Sequence, residues 1–432
     1  MKPAPRLNVG HALAFRSDKL GFLLRCARQG EVVELKLGSV PTFLLNDPAD
    51  IRHVLVTEEP RFPKNPRLVA AADPALFGEG LVGSPEAGHR SKRLSLQPAF
   101  DQRKLQALAD VVVDCADEVL DDWASRDDFD VVREATALAQ RVRLRVLLGD
   151  AADDIADELV GALAARQEYI EQVFVSPLPF SDRLPTRTRR RYRRAQDELE
   201  GLLFALIREG KQESTLLTHL LEMRTDDGTP VGEQRVFDEA RGFLASYELS
   251  GRGLAWTLCL LADHAEVQAQ LTRELEEDQG DAALLGYPQM VYSEALRLYP
   301  PTWLFVRMTP HDVELPSGRR LPAGSRLFLC PYTSHRDPRF FPDPERFDPE
   351  RFRPGSATRA RPRSAYFPFG GGRHVCIGEG FVRMEAALVL SRLDRLELSG
   401  VGGEAIPYPG VTLEPRGDRR LRVRKRVHAN VS

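Results

Sequence analysis

A mainly helical fold with small β-sheets (α+β) is predicted by three features of this 432-residue chain. Long stretches repeat apolar residues at three-to-four spacing, as helices with one buried face do. Strand-like runs are short and confined to residues 32–37, 42–46, 319–329 and 412–423. The length alone allows two or three domains, yet no repeat, low-complexity tract or Ser/Gly-rich linker divides the chain.

The elements follow in order. Leu108, Val112, Cys115, Val119 and Trp123 recur at a period near 3.5 and mark an amphipathic helix. Two more helices are expected over 153–175 and 187–210, separated by a proline-rich connector, 176–185, which can continue neither. The second opens with the densest positive run, Arg187 to Arg194, which reads as a solvated helix face rather than a binding patch. A long helix over 237–264 would span about 40 Å at ~1.5 Å per residue. Glu294 and Arg297 stand at i and i+3 of a further helix, where they can pair, and Pro300-Pro301 end it. The prolines of 341–352, a stretch containing Arg346, exclude a regular helix and imply a rigid irregular segment. The last helix, 379–393, carries Phe381, Met384, Ala387 and Leu388 on one face.

Charge and termini narrow the function. Sixty basic against 63 acidic side chains leave a net charge of −3, which implies neither nucleic-acid nor membrane affinity. The start has no apolar run of about 20 residues to anchor it. It also lacks the apolar core of a secretory signal. The five cysteines (26, 115, 259, 330 and 376) show no paired spacing, which suits a reducing compartment, and a cytoplasmic location is expected.

One of those cysteines carries chemistry. Cys376 closes the loop Phe369-Gly370-Gly371-Gly372-Arg373-His374-Val375-Cys376-Ile377-Gly378. Three consecutive glycines give the backbone unusual freedom and let a flat ligand approach closely. Arg373 and His374 favour the thiolate, the form that binds metal. A lone thiolate cannot build a zinc or iron–sulfur site, but it can be the axial ligand of a haem. Phe369, Gly372, His374, Cys376 and Gly378 fill every fixed position of the pattern Phe-x-x-Gly-x-basic-x-Cys-x-Gly, and the chain here resembles the cytochrome P-450 superfamily, of the soluble bacterial type.

The resemblance runs from about residue 10 to 422, so residues 1–432 are expected to form a single domain, a triangular helical prism whose long central helix crosses a haem b. It implies that Phe369, Gly370 and Cys376 hold the haem, with Cys376 on the iron. His89 and Arg93, four apart on a helix, would bind the propionates together with Arg307 and His374. Glu294, Arg297 and Arg346 would form a buried structural triad. Connector 176–185 would be a mobile lid, and substrate would meet 67–82, 243–249, 302–306 and 405–411, with Phe243, Tyr247, Trp303, Leu304 and Phe305 as an apolar wall.

The family's oxygen-binding motif, Ala-Gly-x-(Asp/Glu)-Thr-Thr, falls on Ala245-Ser246-Tyr247-Glu248-Leu249-Ser250. Glu248 keeps the acid, but Ser246 replaces the glycine and Leu249 the threonine whose hydroxyl organises water. Ser246, Ser250 or a substrate hydroxyl are the candidate replacements, with Glu248 relaying protons. The expected activity is monooxygenation of an apolar small molecule of secondary metabolism, with electrons from a ferredoxin and ferredoxin reductase, for which Arg90, Lys92, Arg103 and Lys104 offer a basic face. Two alternatives stand beside it. One is an atypical haem-thiolate enzyme (peroxide-driven oxidation, oxidative coupling or rearrangement); the other is a non-catalytic haem protein.

Overall fold

The computed structural model describes residues 9–65, 80–84, 86–175, 186–209, 215–277 and 286–426. Two compact units emerge, each assembled from two stretches of chain: Met1–Val69 with Ser293–Cys376, and Ala70–Tyr292 with Ile377–Ser432.

The first unit is organised by a four-stranded sheet in the order Val32–Leu35, Thr42–Leu45, Arg326–Leu329, Phe305–Met308. The first two strands form an antiparallel hairpin, Thr42–Leu45 runs parallel to Arg326–Leu329, and Phe305–Met308 returns antiparallel. All four residues of Thr42–Leu45 are buried, which explains why that strand reads as a continuous apolar run rather than an alternating one. Its core gathers Phe43, Leu45, Ile51, Leu55, Leu327 and Leu329 around Phe367, two residues before the cysteine loop. Pro322 and Gly324 (φ +76°) turn the chain, so the expected strand 319–329 divides into Arg320–Leu321 and Arg326–Leu329.

The second unit is helical. Ala109–Ser125, Val131–Leu148, Ala151–Val175, Arg187–Glu209 and Glu379–Ser391 occupy the predicted windows or fill gaps between them. Val112, Cys115 and Trp123 are fully buried, as their spacing requires, as is Phe381 to within 1%. A small sheet places Arg420–Lys425 between Phe129–Asp130 and Leu396–Val401, and Ile406–Pro409 pairs with Leu413–Arg416.

Two expectations are corrected. Strands also form outside the four windows, at Phe129–Asp130, Phe305–Met308, Val313–Glu314, Leu396–Val401 and Ile406–Pro409. Leu396–Val401 alternates burial at its start, a period already present in Leu-Glu-Leu-Ser. The long helix is also two helices, Glu233–Ala245 and Tyr247–Asp263, separated at Ser246. There the Ser246 amide donates to Phe243 O at 3.1 Å, a tightened i−3 bond, and the Ser246 hydroxyl caps the same carbonyl at 2.7 Å. Beyond the break, a Cβ on Gly251 would lie 2.7 Å from Thr136 Cα, so only glycine admits this approach to the 131–148 helix. The connector 176–185 and most of 67–82 lie outside the described residues.

Candidate active site

Of the five cysteines only Cys376 is exposed. Burial pushes the thiols of Cys115 and Cys330 up to about 11 and that of Cys259 up to about 12, and it raises Cys26 as well. A thiol held protonated is neither nucleophile nor metal ligand. The loop that presents Cys376 is tightly fixed: the Cys376 amide donates to Phe369 O at 3.0 Å, and Gly370 N to Phe367 O at 3.0 Å. Gly370 and Gly372 take φ of +77° and +62°. A Cβ on Gly372 would strike Leu55 O at 2.1 Å, and one on Gly370 would lie 3.5 Å from the Phe305 ring. Leu55 belongs to a five-residue π-helix, His53–Thr57, that supports the loop from behind.

The start of the same loop is held by His335, which no local pattern in the sequence marks for that role. Its Nε2 accepts the Phe367 amide at 2.9 Å, so the ring is a neutral acceptor. Burial, with the like charges of Arg297 and Arg336, holds its pKa well below 6.5. His374, two residues before the cysteine, places Nε2 at 2.6 Å from Glu59, a 2%-exposed carboxylate that also faces Arg373 at 3.8 Å. Glu59 gave no sequence signal, because nothing local marks it as the partner of a residue more than 300 positions away.

Behind the loop, Arg297 is fully buried and uses all five of its N–H groups. Nε and Nη2 hold Glu294 at 2.7 and 2.9 Å, Nη1 donates to His335 O and Pro344 O at 2.9 and 2.7 Å, and Nη2 also reaches Arg346 O at 3.0 Å. The expected triad needs correction here. Arg346 contributes its carbonyl while its side chain lies exposed. The second guanidinium belongs to Arg351, 6% exposed, whose Nε sits 3.3 Å from Glu294 and whose Nη2 donates to Asp343 O at 2.9 Å. The sequence repeats Pro-Glu-Arg-Phe at 344–347 and 349–352, and the 3-10 turn Pro349–Phe352 directs the second copy inward.

The basic residues expected at the propionates divide between the units. Arg307 is 7% exposed in the strand Phe305–Met308, which belongs to the same unit as His374. His89, 5% exposed, and the half-buried Arg93 share one face of the helix Glu86–Leu96 in the other unit.

Along the central helix, Glu248, Leu249 and Ser250 point three ways, because successive residues turn by ~100°. Glu248 accepts a hydrogen bond from Gln167 Nε2 at 2.7 Å, with Arg252 at 3.7 Å. Leu249 is 41% exposed. Ser250 is 2% exposed and its hydroxyl receives Arg143 Nη2, while Ser246 Oγ receives Arg143 Nε at 3.1 Å. Both hydroxyls considered as replacements for the missing threonine are thus engaged on a face other than that of Leu249. Phe243 shares their face, at i−3 and i−7. Its ring lies 5.5 Å from Phe381, 6.2 Å from Phe100 and 5.2 Å from Arg143, which removes it from the expected substrate wall. Tyr247 and Trp303 are also buried, and the Trp303 carbonyl accepts the Cys330 thiol at 3.1 Å, whereas Leu304 and Phe305 are half-buried.

Residues 1–399 match the family model described as cytochrome P-450. The chain belongs to the cytochrome P-450 family. It is 34% identical to cyclooctatin synthase of Streptomyces melanosporofaciens, over 96% of this chain and 91% of that protein. It is 33% identical to cyclooctat-9-en-7-ol 5-monooxygenase of the same organism, over 94% and 89%. Among solved structures, retinoic acid-bound cyanobacterial CYP120A1 superimposes with a TM-score of 0.83 at 23% identity, covering 96% of each chain, a likeness of fold. This cytochrome P-450 is a monooxygenase of that family, and membership implies a haem-thiolate cofactor. The residues present fit that group: one exposed thiol, on a loop where positive-φ glycines keep side chains out of the way. Among the described residues no helix is long and apolar enough to cross a membrane.

Proposed function

We propose that this monooxygenase oxidises an apolar terpenoid-class intermediate of secondary metabolism in the cytoplasm, drawing electrons from a ferredoxin and ferredoxin reductase, with Cys376 as the thiolate on a haem b. The observation that carries the assignment of the ligand is the exposure of Cys376 against four buried, protonated thiols. The substrate class is supported by the relatives, one of which is named for an alkenol with a single hydroxyl on a hydrocarbon skeleton. The half-buried Leu304 and Phe305 supply apolar surface for such a molecule. The single family match across residues 1–399 favours reading both compact units as one domain.

Bound through a thiolate, haem supplies dioxygen activation, with electron density pushed from the sulfur. The chain's own residues do the rest. Gly370 and Gly372 keep the loop clear of side chains, and His89, Arg93, Arg307 and His374 neutralise the propionates. Leu249 excludes water from its face of the helix. Glu248, which accepts a hydrogen bond from Gln167, serves as the proton relay in this reading. A pocket role for 405–411 and a docking role for Arg90, Lys92, Arg103 and Lys104 extend this reading.

One observation favours a second reading. The hydroxyls of Ser246 and Ser250 are both bound by Arg143, and Leu249 stands at the motif's threonine position. An atypical enzyme driven by peroxide would need no hydroxyl there. Turnover of polycyclic terpene hydrocarbons and alkenols with a surrogate ferredoxin pair, beside a peroxide-only arm, separates the two. The proposal expects product that depends on reductant and dioxygen, lowered several-fold in Glu248→Gln with matching peroxide release. Product formed equally well from peroxide alone favours the atypical enzyme.

A further inference from the structure

Arg143 and Glu385 are each 1% exposed and form a bidentate pair, with Nη1 to Oε1 at 2.9 Å and Nη2 to Oε2 at 3.0 Å. They lie 242 positions apart in the chain, Arg143 on the 131–148 helix and Glu385 on the helix that begins three residues after Cys376. Arg143 also donates through Nε to Ser246 Oγ at 3.1 Å and through Nη2 to Ser250 Oγ. Its guanidinium stacks over Phe381 at 4.5 Å and Phe243 at 5.2 Å. A buried charge survives only when paired and hydrogen-bonded, and here one cation meets three separate elements.

The two serines stand at the break in the central helix and one turn after it. Ser246 is the break itself, and the next backbone bond across it, Ser250 N to Ser246 O, is long at 3.4 Å. A helix interrupted in this way has weakened ladder bonds, and without an outside tie its turn would relax towards regular helix or fray. The arginine supplies that tie at the interruption and one turn beyond it.

We propose that Arg143, fixed by Glu385, is a positioning residue that holds the Ser246–Ser250 turn in its broken form and so sets where Glu248 and Leu249 point. The serine that replaces the family's glycine at 246 is then an acceptor for this cation rather than a substitute for the missing threonine hydroxyl. The inference rests on the reading of 245–250 as the oxygen-side turn of the monooxygenase.

The test uses the haem-loaded enzyme in three variants: Arg143→Met, Arg143→Lys, and the double variant Ser246→Ala/Ser250→Ala, which keeps the buried ion pair. Two quantities are read: amide hydrogen exchange of peptides covering 243–252, and the C–O stretching band of carbon monoxide on the reduced enzyme. Arg143→Met and the double variant are expected to raise exchange in that segment by roughly tenfold or more, with the 109–125 helix unchanged. They should also shift or split the C–O band, and Arg143→Lys should recover part of both. If Arg143→Met fails to fold, the double variant alone decides. Exchange that stays at the wild-type level in the double variant, or that rises uniformly along the chain, overturns the proposal. A local rise in exchange with an unchanged C–O band upholds the tie but removes the oxygen-side reading of the turn.

Discussion

Two buried arginine–glutamate pairs, one in each compact unit, differ in how plainly the sequence announces them. Arg297 and Glu294 are three residues apart on one helix, so their pairing follows from helical spacing alone. Arg143 and Glu385 are as deeply buried and as well paired, yet nothing in the chain connects positions that distant. They also differ in what they tie. Arg297 spends three of its five donors on backbone carbonyls of the irregular 335–346 segment, so it shapes a stretch that cannot satisfy itself. Arg143 spends its donors on side chains, a carboxylate and two hydroxyls. The first pair is a clamp on a fold; the second is a tie on a turn.

That contrast orders the effects of breaking them. Arg297→Ala should be the most damaging change, since it strands Glu294 in the interior and leaves three carbonyls unmet. A loss of about 3–5 kcal/mol or more is expected, seen as a lower thermal midpoint and little haem retained per chain. A well-folded, fully haem-loaded Arg297→Ala protein would show that the cluster is not a clamp.

Next in size comes the correction within that cluster. Arg351→Ala should cost about 2–3 kcal/mol, because it removes a buried cation from Glu294 and a donor from Asp343 O. Arg346→Ala keeps the carbonyl that Arg297 uses and removes only an exposed side chain, so the change should stay within about 0.5 kcal/mol. Equal losses in the two variants would return Arg346 to the triad.

A smaller, pH-dependent effect belongs to His335. Its native pKa lies well below 6.5, while unfolded histidine titrates near 6.5. Below that value the unfolded chain binds the extra proton, so the stability His335 contributes is present above pH 6.5 and is lost as pH falls towards its native pKa. The slope is at most about 1.4 kcal/mol per pH unit for one proton. His335→Gln keeps an acceptor for the Phe367 amide and should flatten this acid limb. An unchanged pH profile would mean that His335 is not held neutral.

Much of the fold is legible in the sequence because its signals are local. The period of Leu108, Val112, Cys115 and Trp123 marks a helix with a buried face, and the strands 32–35 and 42–45 stand within their windows. The cysteine loop is legible for the same reason, its constrained positions being contiguous. What escapes are features set by distant partners or by geometry that propensity does not encode. Glu59 meets His374, and Glu385 meets Arg143, across most of the chain. The break at Ser246 escapes because it rests on the serine amide and hydroxyl both bonding Phe243 O, a geometry that residue type alone does not encode. The contiguous stretch 243–249 reads as one wall, yet a helix cannot show seven consecutive residues to one side, and Phe243 faces Arg143 instead.

The decisive measurement is the absorption spectrum of the reduced, carbon monoxide-bound protein in wild type and in Cys376→Ser. Wild type should give the strongly red-shifted Soret band of a thiolate haem, Cys376→Ser should lose it, and Cys259→Ser, whose thiol is buried and pushed up to about 12, should keep it. A red-shifted band that persists in Cys376→Ser would contradict the assignment of the ligand and, with it, the site built around this loop.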